Sequence, residues 1–234
     1  MSSIWASFYA SELQGLWLLS VPPALWLAWM LLGTPPATPG AEPRAAGFVR
    51  AWALVFTLET ILDPPLIVFG GLPALLFVLL GDFRVFLLVF GVARPDTLLG
   101  PALAKAALWT TFVPIVGYGG WWGLDRTLGP LHPQTLWLLY ELCFLGLALW
   151  MRGVWLPRQP TPAAPYLRAV LAYVALYYGL WAQADVLILL GVDLGWLLRV
   201  VPNQLYYVFW VPVAFLLFFA PRYAASSSAV HAAR

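Results

Sequence analysis

Polar residues are scarce along this chain and the apolar runs between them are long. Runs bounded by proline, glycine or charge cover residues 13–33, 47–70, 72–93, 101–123, 135–151, 166–192 and 202–220. Each approaches the roughly 20 apolar residues a helix needs to cross a bilayer. The pattern predicts an all-α polytopic membrane protein with seven transmembrane helices. Between the runs, 34–44 and 157–165 read as proline-rich and alanine-rich linkers, and 224–234 as a small polar, disordered tail. No internal repeat is visible, so 1–223 is expected to form a single helical bundle. Met1–Gln14 has no basic n-region, and no small-residue cleavage site follows the first run, which therefore reads as a retained helix.

Composition narrows the class further. The chain is 62% hydrophobic and only 9% charged, whereas soluble domains are about 25% charged. The lone Cys143 offers no disulfide framework, and no histidine and cysteine spacing suits zinc, so neither a metal nor a cofactor is expected. Nothing points to nucleic acid. The expected partners are the bilayer itself and a small solute, a proton or a lipid, with oligomerisation left open.

Basic residues give the orientation, because they concentrate in cytoplasmic loops. One alternating set of loops, with the tail, holds Arg44, Arg50, Arg94, Arg152, Arg158, Arg168, Arg222 and Arg234, while the other holds only Arg126 and Arg199. That imbalance predicts an N-terminus outside and a C-terminus in the cytoplasm. Lys105, the only lysine, falls near the cytoplasmic end of the fourth run, where its stem can snorkel. The arginine, alanine and proline bias suggests a GC-rich bacterial genome, and hence an inner membrane.

The chemistry lies in five carboxylates inside apolar runs: Glu59, Asp63, Asp82, Glu141 and Asp185. An ionisable side chain at mid-bilayer costs about 2.5–3.5 kcal/mol on insertion scales, so each must face protein, a partner or a wet cavity. The second and third runs join through a tight turn at Gly70, Gly71, Leu72 and Pro73, which makes them antiparallel neighbours. At about 1.5 Å per residue, Glu59 and Arg84 both lie about 19 Å from that turn and should meet. Glu59 and Asp63 share a face, and Pro64 and Pro65 remove backbone hydrogen bonds beside Asp63, which predicts a kink. Tyr178, Trp181 and Asp185 form a polar-aromatic stripe on the sixth run. Asn203, Tyr206, Tyr207 and Trp210 form another on the seventh, opened by Pro202. Tyr206 and Tyr207, like Trp121, Trp122 and Trp196, equally suit an interfacial belt. Asp82 and Asp185 have no evident basic partner, Glu141 lies near enough to the interface to be hydrated, and Asp193 and Arg199 read as loop charges.

The acids exceed the embedded bases, which makes proton handling or cation binding natural. The leading expectation is that the acids from separate spans converge on one outward-facing pocket that binds or transports a proton-coupled or cationic small solute. Two short stretches invite comparison. Pro202 and Asn203 resemble the proline-asparagine motif of the sugar-transporting SWEET proteins, although Gly81–Arg84 supplies no matching asparagine. Leu79, Leu80, Gly81 and Asp82 are similar to a stretch of the lysoplasmalogenase-like membrane hydrolases. That resemblance implies an intramembrane lipid hydrolase with Asp82 and Asp185 as acid and base, although that family's histidine and lysine have no counterpart. A microbial rhodopsin is excluded, because the seventh run has no lysine for a retinal Schiff base. A structural subunit docking a partner helix is the third expectation. Neither stretch identifies a family.

Overall fold

A computed structural model describes residues 3–33, 43–67, 71–94 and 99–220, except the side chains of 64–67 and 71–78. These residues are helical, with no strand among them. A short α1 (Ile4–Tyr9) leads through a π turn (Leu13–Trp17) into α2 (Leu18–Leu32). Then come α3 (Pro43–Ile67), α4 (Gly71–Ala93) and α5 (Leu99–Leu128). Helix α6 (Gln134–Trp150) runs on through a π turn (Met151–Trp155) and a 3-10 turn (Leu156–Arg158). Beyond α7 (Ala164–Leu189), α8 (Leu194–Asn203) continues through a π segment (Gln204–Phe209) into α9 (Trp210–Phe218). The 34–42 part of the first linker, the 224–234 tail and Gly70 of the expected turn lie outside the described residues.

Among the described residues, six helical stretches are long and apolar enough to cross a membrane. They present large apolar side chains outward: Leu25, Leu108, Ile115 and Leu176 are all more than half exposed. Surface of that kind is unfavourable in water and suits lipid tails. The chain is a multi-pass helical membrane protein.

Helices adjacent in sequence pack side by side from α2 to α8. The closing rod of α8, its π segment and α9 returns against α1, α2 and α3, so the bundle closes on itself, and α4 touches α7 across its middle. One end is dry. There Trp52, Phe86, Leu88, Val174, Trp210 and Phe215 are almost completely buried and belong to one cluster. Trp52 donates its indole N–H to the main-chain carbonyl of Arg84 at 2.9 Å, which fixes the depth of α3 against α4.

Two of the π turns among the described residues contain the carbonyl four residues before a proline, Gly153 before Pro157 and Val208 before Pro212. Proline has no N–H for the carbonyl four residues back and its ring crowds that carbonyl, so the preceding turn widens. Pro64 and Pro65 sit within α3, which remains helical to Ile67.

Two boundaries correct the sequence expectation. The last span begins at Leu194, not at Pro202, which is internal to α8. Pro202 fits the first turn of a helix, but Leu194, Leu197, Leu198 and Val201 ahead of it already supply an apolar helical face. Helix α5, the fourth apolar run, ends at Leu128, not Gly123, and Asp125 accepts the Leu131 N–H at 2.9 Å from just beyond the helix end.

Candidate functional site: an aromatic cavity with two carboxylates

The bundle opens at the end opposite its dry core. A cavity of about 870 Å³ lies between the N-terminal segment, the first half of α6, the second half of α7 and the α8 rod. Of the five embedded acids, Asp82 and Glu141 line it. Aromatic rings supply much of the remaining wall, Tyr140, Tyr178, Trp181 and Tyr206 among them.

Asp82 is buried on α4, where Gly81 leaves room beside it: a Cβ on Gly81 would collide with the Tyr206 hydroxyl. Both carboxylate oxygens are held by phenols. Tyr178 of α7 donates to Oδ1 at 2.5 Å, and Tyr140 of α6 donates to Oδ2. Phe144, one turn beyond Tyr140, stacks on the Tyr178 ring with centroids 4.2 Å apart. The clamp therefore ties three helices to one carboxylate.

Arg199 forms the second polar centre, and its position corrects the sequence reading. It is not a loop charge: six residues into the rod begun by Asp193, it is 9% exposed. Its Nη1 donates to Asp185 Oδ1, and its Nη2 lies 3.5 Å from Glu141 Oε1. Asp185, also bonded by Gln134 Nε2 at 2.8 Å, thus has the basic partner that the sequence did not reveal. Glu141, expected to be hydrated near the interface, is 3% exposed. Among the described residues no nitrogen or hydroxyl donates to its Oε2 or to Asp185 Oδ2, and the two carboxyls can bond each other only through a shared proton.

Tyr9 closes this centre from above. Its hydroxyl receives both Arg199 Nε and Asn203 Nδ2 at 3.3 Å, and Asn203 Oδ1 accepts the Trp181 indole N–H at 2.8 Å. The stripes on the sixth and seventh runs therefore meet through Trp181 and Asn203. Trp196, Tyr206 and Tyr207 line the cavity. Trp122 is half exposed and carries Arg126 over its ring.

The remaining predicted residues form a separate cluster behind the cavity wall. Arg84 meets Glu59 at 3.2 Å, as the count from the turn requires, and donates to Thr60 Oγ1 at 2.7 Å. Its Nη2 donates to the Tyr206 carbonyl at 2.8 Å, and its guanidinium lies 4.3 Å from the centroid of the Tyr206 ring. Asp63 is buried beside Tyr207. Glu59, Asp63 and Arg84 do not line the cavity; Tyr206 and Tyr207 stand between them and it. The acids thus divide into two groups instead of converging on one chamber.

Four participants escaped the sequence reading: Tyr9, Gln134, Tyr140 and Arg199. Gln134 lies seven residues before Glu141 and so shares its face of the helix, and Tyr140 is its immediate neighbour in the chain; a search for carboxylates alone passes over both. Among the described residues, no group of three or more His, Cys, Asp or Glu is placed to hold a metal ion.

Compared with known proteins, the chain matches no family model, no curated protein sequence and no solved structure. The function must therefore be argued from the cavity.

Proposed function

We propose that this is a seven-span inner-membrane protein, N-terminus outside and C-terminus in the cytoplasm, whose cavity opens toward the outside and binds a small solute. Its 23-residue α4 is the seventh crossing. Two observations support the orientation. The cavity end carries the α5–α6 and α7–α8 connections, and with Arg199 inside the bundle, Arg126 is the remaining basic residue assigned to that side. Opposite lie Arg44, Arg50, Arg94, Arg152, Arg158 and Arg168.

The observation that carries the reading is the cavity itself, with aromatic walls and two buried carboxylates on separate helices. Binding sites for small molecules are concavities of about 300–1,000 Å³ with mostly apolar walls and a few convergent polar groups. A bundle selected for stability alone would fill this space with side chains. Hydrolysis by Asp82 and Asp185 has weaker support, because Asp185 is fully buried, engaged by Gln134 and Arg199, and absent from the cavity lining.

The test is a thermal-shift series on the purified protein with amines, carboxylates, sugars and single-chain lipids. A ligand that binds only the folded state raises its stability by RT ln(1 + [L]/Kd). A concentration-dependent rise in Tm, lost on filling the cavity by Asn203→Trp, supports the reading. No rise with any class, together with copurification of a partner protein, points to a structural subunit. Uptake into sealed vesicles with a pH-gradient dependence then separates transport from lipid chemistry, which survives in detergent.

A further inference from the structure

We infer that the solute is a small organic cation, a protonated amine on an aromatic or aliphatic body, held with its ammonium against Glu141 and Asp82 and its body on the rings around Trp181. The inference rests on the cavity reading above and names the ligand class. Three independent features lead to it.

The first is charge. Asp82 and Glu141 line the cavity, and Asp185 stands directly behind Arg199. Arg199 is the cationic side chain among the lining residues, and it is already engaged by two carboxylates. A ligand anion would meet more negative than positive charge and would have to break one of those pairs. A cation restores the balance.

The second is an unmet acceptor. Glu141 is 3% exposed, and among the described residues no nitrogen or hydroxyl donates to its Oε2. Its remaining partner is the Asp185 carboxyl, and a bond between the two needs a proton held between them, so with both ionised neither serves the other. A buried acceptor left without a donor costs about 1–3 kcal/mol, more when charged. An ammonium supplies N–H donors and positive charge together.

The third is the wall. Tyr178, Trp181 and Tyr206 present a connected set of rings, with centroids 5.5 Å apart for Tyr178 and Trp181 and 5.1 Å apart for Trp181 and Tyr206. Cations are attracted to aromatic faces, most strongly to tryptophan and when desolvated. The same rings bind an apolar body without any hydrogen-bond specificity. This protein already uses such a contact, since Arg84 lies on the far side of Tyr206 at 4.3 Å.

The experiment compares three indoles of matched shape on the full-length protein in nanodiscs by titration calorimetry: tryptamine, cationic; tryptophol, neutral; and indole-3-propionate, anionic. The expected result is tryptamine binding about tenfold or more tighter than tryptophol, with indole-3-propionate weakest. In Glu141→Gln, which keeps side-chain volume, tryptamine should fall to within about threefold of tryptophol, whose own affinity shows that the cavity is intact. The wild-type comparison needs no variant and decides the sign of the ligand's charge. Equal binding of tryptamine and tryptophol, or tighter binding of the anion, overturns the cation inference and leaves the small-solute reading standing. A tryptamine preference unchanged in both Glu141→Gln and Asp82→Asn overturns the site. No binding of any of the three overturns the inference, while the thermal-shift series with sugars and lipids still decides the broader reading.

Discussion

The Tyr178 hydroxyl donates to Oδ1 of Asp82 over 2.5 Å, joining α7 to α4 across the middle of the bundle. Tyr140 takes the other oxygen from α6, so the carboxylate that borders the cavity is also a joint between three helices. If the cavity binds the proposed cation, structure and recognition share these atoms, and variants at this joint must be read for both.

Removing one phenol leaves Asp82 with a single donor. Tyr178→Phe should destabilise by about 1.5–3 kcal/mol, the range for a hydrogen bond to a charged group, and Tyr140→Phe by a similar amount. Removing both should cost no more than the sum, because a buried carboxyl left without donors takes up a proton instead of staying charged. Reversible unfolding in mixed detergent measures all three. A double variant costing clearly more than the sum would mean that Asp82 stays ionised without its phenols.

The Glu59 and Arg84 pair makes the opposite forecast. Glu59→Gln alone strands a guanidinium that is 1% exposed and should cost about 3 kcal/mol or more. Glu59→Gln with Arg84→Met should be milder than that single change, because no unpaired charge remains. Unfolding midpoints of the two singles and the double test this. A double variant as unstable as the sum of its singles would mean that the two residues do not interact.

Gly81 is a steric test of the cavity wall. A methyl group there meets the Tyr206 hydroxyl, so Gly81→Ala should displace that ring, destabilise by about 1–3 kcal/mol and weaken tryptamine binding. At Gly146 a Cβ meets nothing within 4 Å, so Gly146→Ala should leave stability unchanged or raise it by up to about 1 kcal/mol. Equal effects from the two alanines would mean that Tyr206 is not where Gly81 faces.

Acidity gives a fourth forecast. A cation and a proton compete for the Glu141 carboxylate, which is faced by Arg199 from α8 and by Asp185 from α7, itself bonded by Gln134. Tryptamine affinity should therefore fall in acid and rise toward alkaline pH while the amine stays protonated, by up to about one log unit per pH unit. Glu141→Gln should flatten the profile. Affinity that instead grows with acidity would exclude a carboxylate as the anchor.

How much of this was legible in the sequence depended on what each residue's depth was counted from. Glu59 and Arg84 were placed by a tight turn and a fixed rise per residue, so their contact followed from arithmetic. Arg199 was misplaced because Pro202 and Asn203 suggest a helix start, although Leu197, Leu198, Val200 and Val201 embed it in an apolar run. That one boundary also hid the partner of Asp185. Tyr9 could not be anticipated, since its contacts with Arg199 and Asn203 span almost the whole chain and no local spacing encodes them. The convergence of all five acids failed for a related reason. Depth along a helix is readable from sequence, but which side of Tyr206 a neighbour falls on is set by packing.

The most direct test is a crystallographic map of the protein with 4-bromophenethylamine, collected at the bromine edge. The account predicts one anomalous peak inside the cavity, among Tyr178, Trp181 and Tyr206, with the amine directed at Glu141. A peak on the lipid-facing surface, or bromine in the cavity with its amine turned away from both Glu141 and Asp82, would contradict it.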